Sequence, residues 1–113
     1  MQAFASMVAR DFEQTALAHL HQNLPEACAE LGDAAVCQSI QLAIRKCAQY
    51  QFDTVSETLR YLNIMYWVGF HFDEDPQCSW AQEILNNEDL DSEEMLEALE
   101  QTALRELAAE ENS

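Results

Sequence analysis

The chain predicts an all-α fold, a single-domain bundle of five or six helices over residues 1–113. Three observations carry this. Apolar residues recur at helical spacing over most of the length, and no stretch alternates as a strand would for more than a few residues. Glycine and proline are scarce, with 2 of each in 113 residues, where a turn-rich β fold needs many. Hydrophobic residues make up 49% of the chain, enough for a core without disulfide or metal staples.

The first helix is expected over about 2–22. Phe4, Val8, Phe12, Ala16 and Leu20 recur every four residues, with Met7 and Leu17 beside them. Asn23-Leu24-Pro25-Glu26 closes that helix and opens a short one, because proline is tolerated in a first turn. Gly32 stops the short helix, and Asp33 suits an N-cap. A third helix follows over about 34–50, with Val36, Ile40, Ile44 and Cys47 as its stripe. Arg45 and Lys46 lie near its C-terminal end, where cations favour the helix dipole.

Thr54-Val-Ser-Glu57 has capping-box spacing and opens a helix to about Val68. That helix is apolar almost all round towards its end, as a central helix is. Gly69 terminates it, and the loop Phe70–Pro76 follows. Ser79-Trp-Ala-Gln82 also has cap spacing, opening a helix to about Asn86. Asp91 to Glu94 has it again, ahead of a last helix over about 92–110. There Met95, Leu96, Leu99, Ala103, Leu104 and Leu107 share one face, and Glu93, Glu94, Glu97, Glu100 and Glu106 lie largely off it. The tail from Glu110 is expected to fray.

Charge narrows the function. With 21 acidic and 5 basic residues the formal net charge is −16. Phosphate backbones and anionic membrane surfaces repel such a chain, so neither nucleic acid nor membrane is an expected partner. A basic protein surface would be attracted. The charge is also uneven: residues 73–113 hold 14 acids and one base, Arg105. No apolar run is long enough to span a bilayer, and the N-terminus lacks the charged-then-apolar pattern of a signal peptide. Cys28, Cys37, Cys47 and Cys78 show no Cys-x-x-Cys pair, so they read as reduced thiols of a cytoplasmic protein. The even count leaves pairing open.

Motifs for chemistry are weak. Counted as a calcium loop from Asp73, position 6 is Cys78 instead of glycine and position 12 is Ile84 instead of an acid. The reading preferred for Asp73 or Asp75 is a cap on the following helix, with Phe70 and Phe72 packed beneath. His19 and His21 point to different faces of one helix, and His71 is remote, so no zinc set is expected. Cys37 and Cys47 lie on or beside an apolar stripe, the usual place of inert core thiols. Cys78 with His71 has no nucleophile signature. No Gly-rich phosphate loop, Gly-x-Ser-x-Gly or His-Glu-x-x-His occurs. The expectation is therefore a non-enzyme with no cofactor and no metal. Trp67 and Trp80 are expected in the core, and Tyr50 and Tyr61, near helix ends, are expected to be freer.

The segment from Tyr61-Leu62 and Met65 through Phe72-Asp73-Glu74-Asp75-Pro76, Trp80-Ala81 and Ile84-Leu85 resembles a group of small uncharacterised helical proteins of proteobacteria. Those are associated with gene clusters for type VI secretion and its toxic effectors. The chain departs from their pattern at Val68, where Phe is common, and at Ser79, where Pro is common. The resemblance extends back through Leu24-Pro25-Glu26 and Ala43-Ile44, and it brings no catalytic residues. The resemblance supplies that genetic context; taken with the acidic charge, the leading expectation is a protein-binding accessory of a secreted effector, an adaptor or chaperone-like partner, in a chain that is monomer or homodimer. The alternative is an immunity protein whose carboxylates occupy the basic cleft of a toxin such as a nuclease. The residues expected to meet the partner are Phe70, His71, Asp73, Glu74 and Asp75 in the loop and Glu93, Glu94, Glu97 and Glu100 on the last helix.

Overall fold

A computed structural model describes the backbone of residues 2–111 and the side chains of residues 11–109. Expectations resting on the side chains of Phe4, Met7, Val8 and Arg10, and on the tail from Glu110, lie outside the described side chains. Among the described residues six α-helices form: α1 (Gln2–Asn23), α2 (Pro25–Leu31), α3 (Asp33–Tyr50), α4 (Val55–Val68), α5 (Ser79–Leu85) and α6 (Ser92–Glu111). A 3₁₀ turn, Pro76–Cys78, precedes α5. The all-α bundle expected from the sequence is the fold observed.

Helix α4 is central. It packs against α3 on one side and α6 on the other, while α1 and α2 cover α3 and α5 covers α6. The result is a flattened molecule of 44 × 36 × 21 Å. The sequence of α4 explains its place: Thr58, Tyr61, Leu62 and Met65 bury one face at helical spacing, and Ile64 buries another. Phe12, Ala16 and Leu20 from α1, Val36, Ile40, Ala43 and Cys47 from α3, and Leu96, Leu99 and Ala103 from α6 complete the core. Leu104, expected on the packed face of α6, is instead 52% exposed. At about 100° per residue it falls on the flank of Glu93, Glu97 and Glu100.

The helix ends follow local chemistry, with two corrections. Two capping boxes are complete. In the first, Thr54 Oγ1 accepts from the Glu57 N–H at 3.1 Å and Glu57 Oε1 accepts from the Thr54 N–H at 3.1 Å. In the second, Asp91 Oδ1 accepts from the Glu94 N–H at 2.8 Å and Glu94 Oε1 from the Asp91 N–H at 3.1 Å. Asp33, however, is the first residue of α3 behind an N-cap at Gly32, and its side chain makes no cap bond. Ser79 does not cap α5; the N-cap is Cys78, because the 3₁₀ turn already leads the backbone into the helix. Asp75 caps that turn, accepting from the Gln77 N–H at 2.9 Å.

Helix α3 ends at Tyr50 as expected, through a cap that the sequence did not signal. Gln51 adopts φ 66°, the left-handed conformation, without being glycine. Its N–H donates to Ala48 O and the Phe52 N–H donates to Cys47 O, the paired bonds of a Schellman cap. Burial of Phe52 at 3% exposure holds the strained residue in place. Gly69, at φ 132°, ends α4 as expected.

Candidate functional site

The corner from Gly69 to Trp80 joins α4 to α5, and the sequence placed most of the expected partner contacts there. Gly69 turns the chain out of α4 in a backbone conformation that L-residues rarely adopt. Successive turn hydrogen bonds then coil the loop: Phe72 N–H to Gly69 O, Glu74 N–H to His71 O and Asp75 N–H to Phe72 O. This winding sends Phe72 and Asp73 inward, and leaves His71, Glu74 and Asp75 on the surface.

Phe72 and Asp73 are pinned by residues that the sequence did not tie to the loop. Phe72 is 1% exposed and packs between Tyr61, with ring centroids 5.2 Å apart, and Trp80, at 6.2 Å and nearly parallel. Tyr50 and Phe52 extend the aromatic cluster from Tyr61. Asp73 is 2% exposed. Its Oδ2 accepts the Tyr50 O–H at 2.6 Å and pairs with Lys46 Nζ at 2.8 Å. Lys46 also reaches Glu74 Oε2 at 2.9 Å. The lysine therefore serves the corner and not the dipole of α3.

The electrostatics agree with a pin. Burial works against the charge on Lys46, but hydrogen bonds to Asp73 and Glu74 outweigh it and raise its pKa. Burial, then the Asp73 carboxylate, pushes the Tyr50 phenol above its usual range. Tyr61 is raised by burial first and by Asp73 next. Both phenols thus stay protonated beside the buried carboxylate. Tyr61 Oη and Asp73 Oδ1 are the buried side-chain polar atoms without a hydrogen bond among the described residues. The expectation that Tyr50 and Tyr61 are freer is overturned: Tyr61 is fully buried, lying midway along the packed face of α4, and Tyr50 is half-buried, because the loop folds back over the end of α3.

Asp73 consequently does not belong to an accessible contact surface. The loop presents His71, Glu74, Asp75 and part of Phe70. His71 and Glu74 are well exposed and lie 3.7 Å apart. Phe70 packs edge-on against Tyr66, with centroids 5.1 Å apart, and lines shallow grooves beside α2 and α3. Tyr66 in turn meets Ser39 Oγ at 2.7 Å.

On α6 the expected carboxylates divide. Glu100 is half-buried against α4, where it accepts from Arg60 Nε at 3.0 Å and pairs with the same guanidinium through Nη2. Glu93 lies 3.2 Å from Arg60 Nη1 but stays 72% exposed. Glu94 closes its capping box, and Glu97 meets Gln101. Glu93, Glu94 and Glu97 form a solvated strip, while Glu100 holds two helices together.

The other candidates resolve simply. His19 Nε2–H donates to Asn63 Oδ1 at 2.8 Å and Nδ1 accepts from Asn23 Nδ2 at 3.3 Å, so this histidine ties α1 to α4. Cys47 is buried and pushed up to about 12, chiefly by desolvation. Cys37 is exposed, against the expectation of a core thiol. Trp67 and Trp80 pack against the core but remain partly exposed. Among the described residues no group of three or more His, Cys, Asp or Glu is placed to hold a metal ion. No described helix is long and apolar enough to cross a membrane.

Comparison with known proteins returns no match to any family model, curated protein or solved structure.

Proposed function

We propose that the protein is a non-enzymatic binding partner of a basic protein, and that this partner is a secreted bacterial effector held by an adaptor or chaperone-like accessory. The observation that carries the reading is the strip of exposed carboxylates on α6. Glu93, Glu94 and Glu97 stand in solvent, and Leu104 stands 52% exposed on the flank shared by Glu93 and Glu97. An apolar anchor bordered by like charges suits a basic surface with a shallow hydrophobic centre. The charge imbalance of residues 73–113 concentrates the attraction at this end of the chain. The effector context, type VI secretion, rests on the resemblance around Phe72–Pro76 and Trp80–Ala81, and a cytoplasmic site of action goes with it.

Immunity is the second reading, favoured by the same solvated carboxylates, which would occupy the place of phosphates in the cleft of a nuclease toxin. Co-expression with the products of adjacent genes, capture on a tag and assay of the captured protein test both. A basic partner that stays active and becomes soluble or exportable supports the accessory. A partner silenced by binding replaces it with immunity. Empty beads across the gene neighbourhood would overturn both readings.

A further inference from the structure

We propose that the cleft between the end of α4, the 3₁₀ turn and α6 receives one arginine side chain of the basic partner. The cleft measures about 210 Å³ and is lined by Trp67 and Val68 from α4, Asp75 at the cap of the 3₁₀ turn with Gln77 and Cys78 within it, Trp80 from α5, and Glu106 and Leu107 from α6. Two indoles supply the walls, and two carboxylates on separate elements supply the charge. Among the described residues, no basic side chain lines it. This differs from the strip on α6, because Glu106 lies on the opposite flank of the buried Leu96–Leu99–Ala103 stripe at about 100° per residue.

The chemistry selects a guanidinium. Tryptophan is the strongest aromatic partner for a cation. Arginine stacks its planar head on such a ring and also forks onto a carboxylate, which a lysine ammonium does as a point charge only. The walls are set in advance. Trp80 is stacked on the buried Phe72, and Asp75 is fixed by the Gln77 N–H. Preformed walls spare the ordering cost of binding.

The inference rests on the reading of the protein as the binder of a basic protein, and one probe separates the two. The chain has 2 tryptophans and both line this cleft, so its tryptophan emission responds to a ligand bound there. The intact protein is titrated with acetyl-Gly-Arg-Gly-amide and with its citrulline and lysine counterparts at fixed ionic strength. The expected result is a saturable emission change with the arginine peptide, about tenfold weaker binding for citrulline and a smaller loss for lysine. Glu106→Gln, an exposed substitution, should weaken arginine binding several-fold, and Glu97→Gln should leave it unchanged. An arginine titration without saturation, equal responses to arginine and citrulline or to arginine and lysine, or wild-type binding by Glu106→Gln would overturn the assignment. If Glu106→Gln captures the basic partner as well as wild type, the cleft falls and the binding function stands. If the peptide binds but no basic partner is captured, the cleft stands and the function falls.

Discussion

Lys46→Met removes the cation that faces Asp73 while keeping the volume of the side chain. In the folded protein Nζ lies 2.8 Å from Asp73 Oδ2, with the two side chains 11% and 0% exposed. Breaking a buried pair by deleting one partner costs roughly 3–5 kcal/mol, because the remaining charge stays desolvated. The Tyr50 hydroxyl still donates to the carboxylate at 2.6 Å, which moderates the loss. The second contact, to Glu74, is solvent-exposed at the carboxylate and adds under about 0.5 kcal/mol. The expected loss is therefore about 3 kcal/mol, which a domain of ordinary stability survives. Urea unfolding followed by far-UV circular dichroism measures it. Asp73→Asn and the double variant complete a cycle, with an expected coupling of about 1–2 kcal/mol. A loss below about 1 kcal/mol for Lys46→Met, or strictly additive single variants, would refute the claim that this pair pins the corner.

Three further outcomes are expected. Burial and the Asp73 carboxylate raise Tyr50 and Tyr61 far above the usual phenol range, so neither should ionise near pH 10 in the native protein. A raised folded pKa gives stability present below the unfolded value and lost as pH rises, so their tyrosinate absorbance at 295 nm should appear together with loss of helix; native titration of more than one tyrosine near pH 10 would contradict this. Ellman's reagent at pH 8 should modify the exposed Cys37 ahead of Cys47, whose pKa is pushed up to about 12 by burial; early modification of Cys47 would count against its placement in the core. Gly69→Ala meets nothing within 4 Å, so its expected cost of about 1–3 kcal/mol is purely conformational; a loss under about 0.5 kcal/mol would show that the backbone there relaxes freely.

The fold was legible because its determinants are local. The capping boxes at Thr54 and Asp91, the glycine at 69 and the apolar periodicity of α3, α4 and α6 each act within a few residues. Gln51 was not legible: a left-handed cap without glycine depends on the burial of Phe52, a tertiary event. Asp73 was misplaced for a related reason. Its partners Lys46 and Tyr50 lie 27 and 23 residues upstream, and no spacing rule links a loop acid to them. In an acidic chain, one buried carboxylate looks like its solvated neighbours until the contacts are known. Glu100 shows the same limit, since only the packing of α4 on α6 brings Arg60 to it.

Binding of a basic protein through the solvated strip of α6 is tested most directly by calorimetric titration of the captured partner at several salt concentrations. Wild type is compared with the triple variant Glu93→Gln/Glu94→Gln/Glu97→Gln. The amide introduced at position 94 can still close the capping box, and the Arg60–Glu100 pair is untouched. The triple variant should bind at least about tenfold more weakly, with a shallower salt dependence and unchanged helix content. Equal affinity and equal salt dependence in the two proteins would contradict binding through the strip.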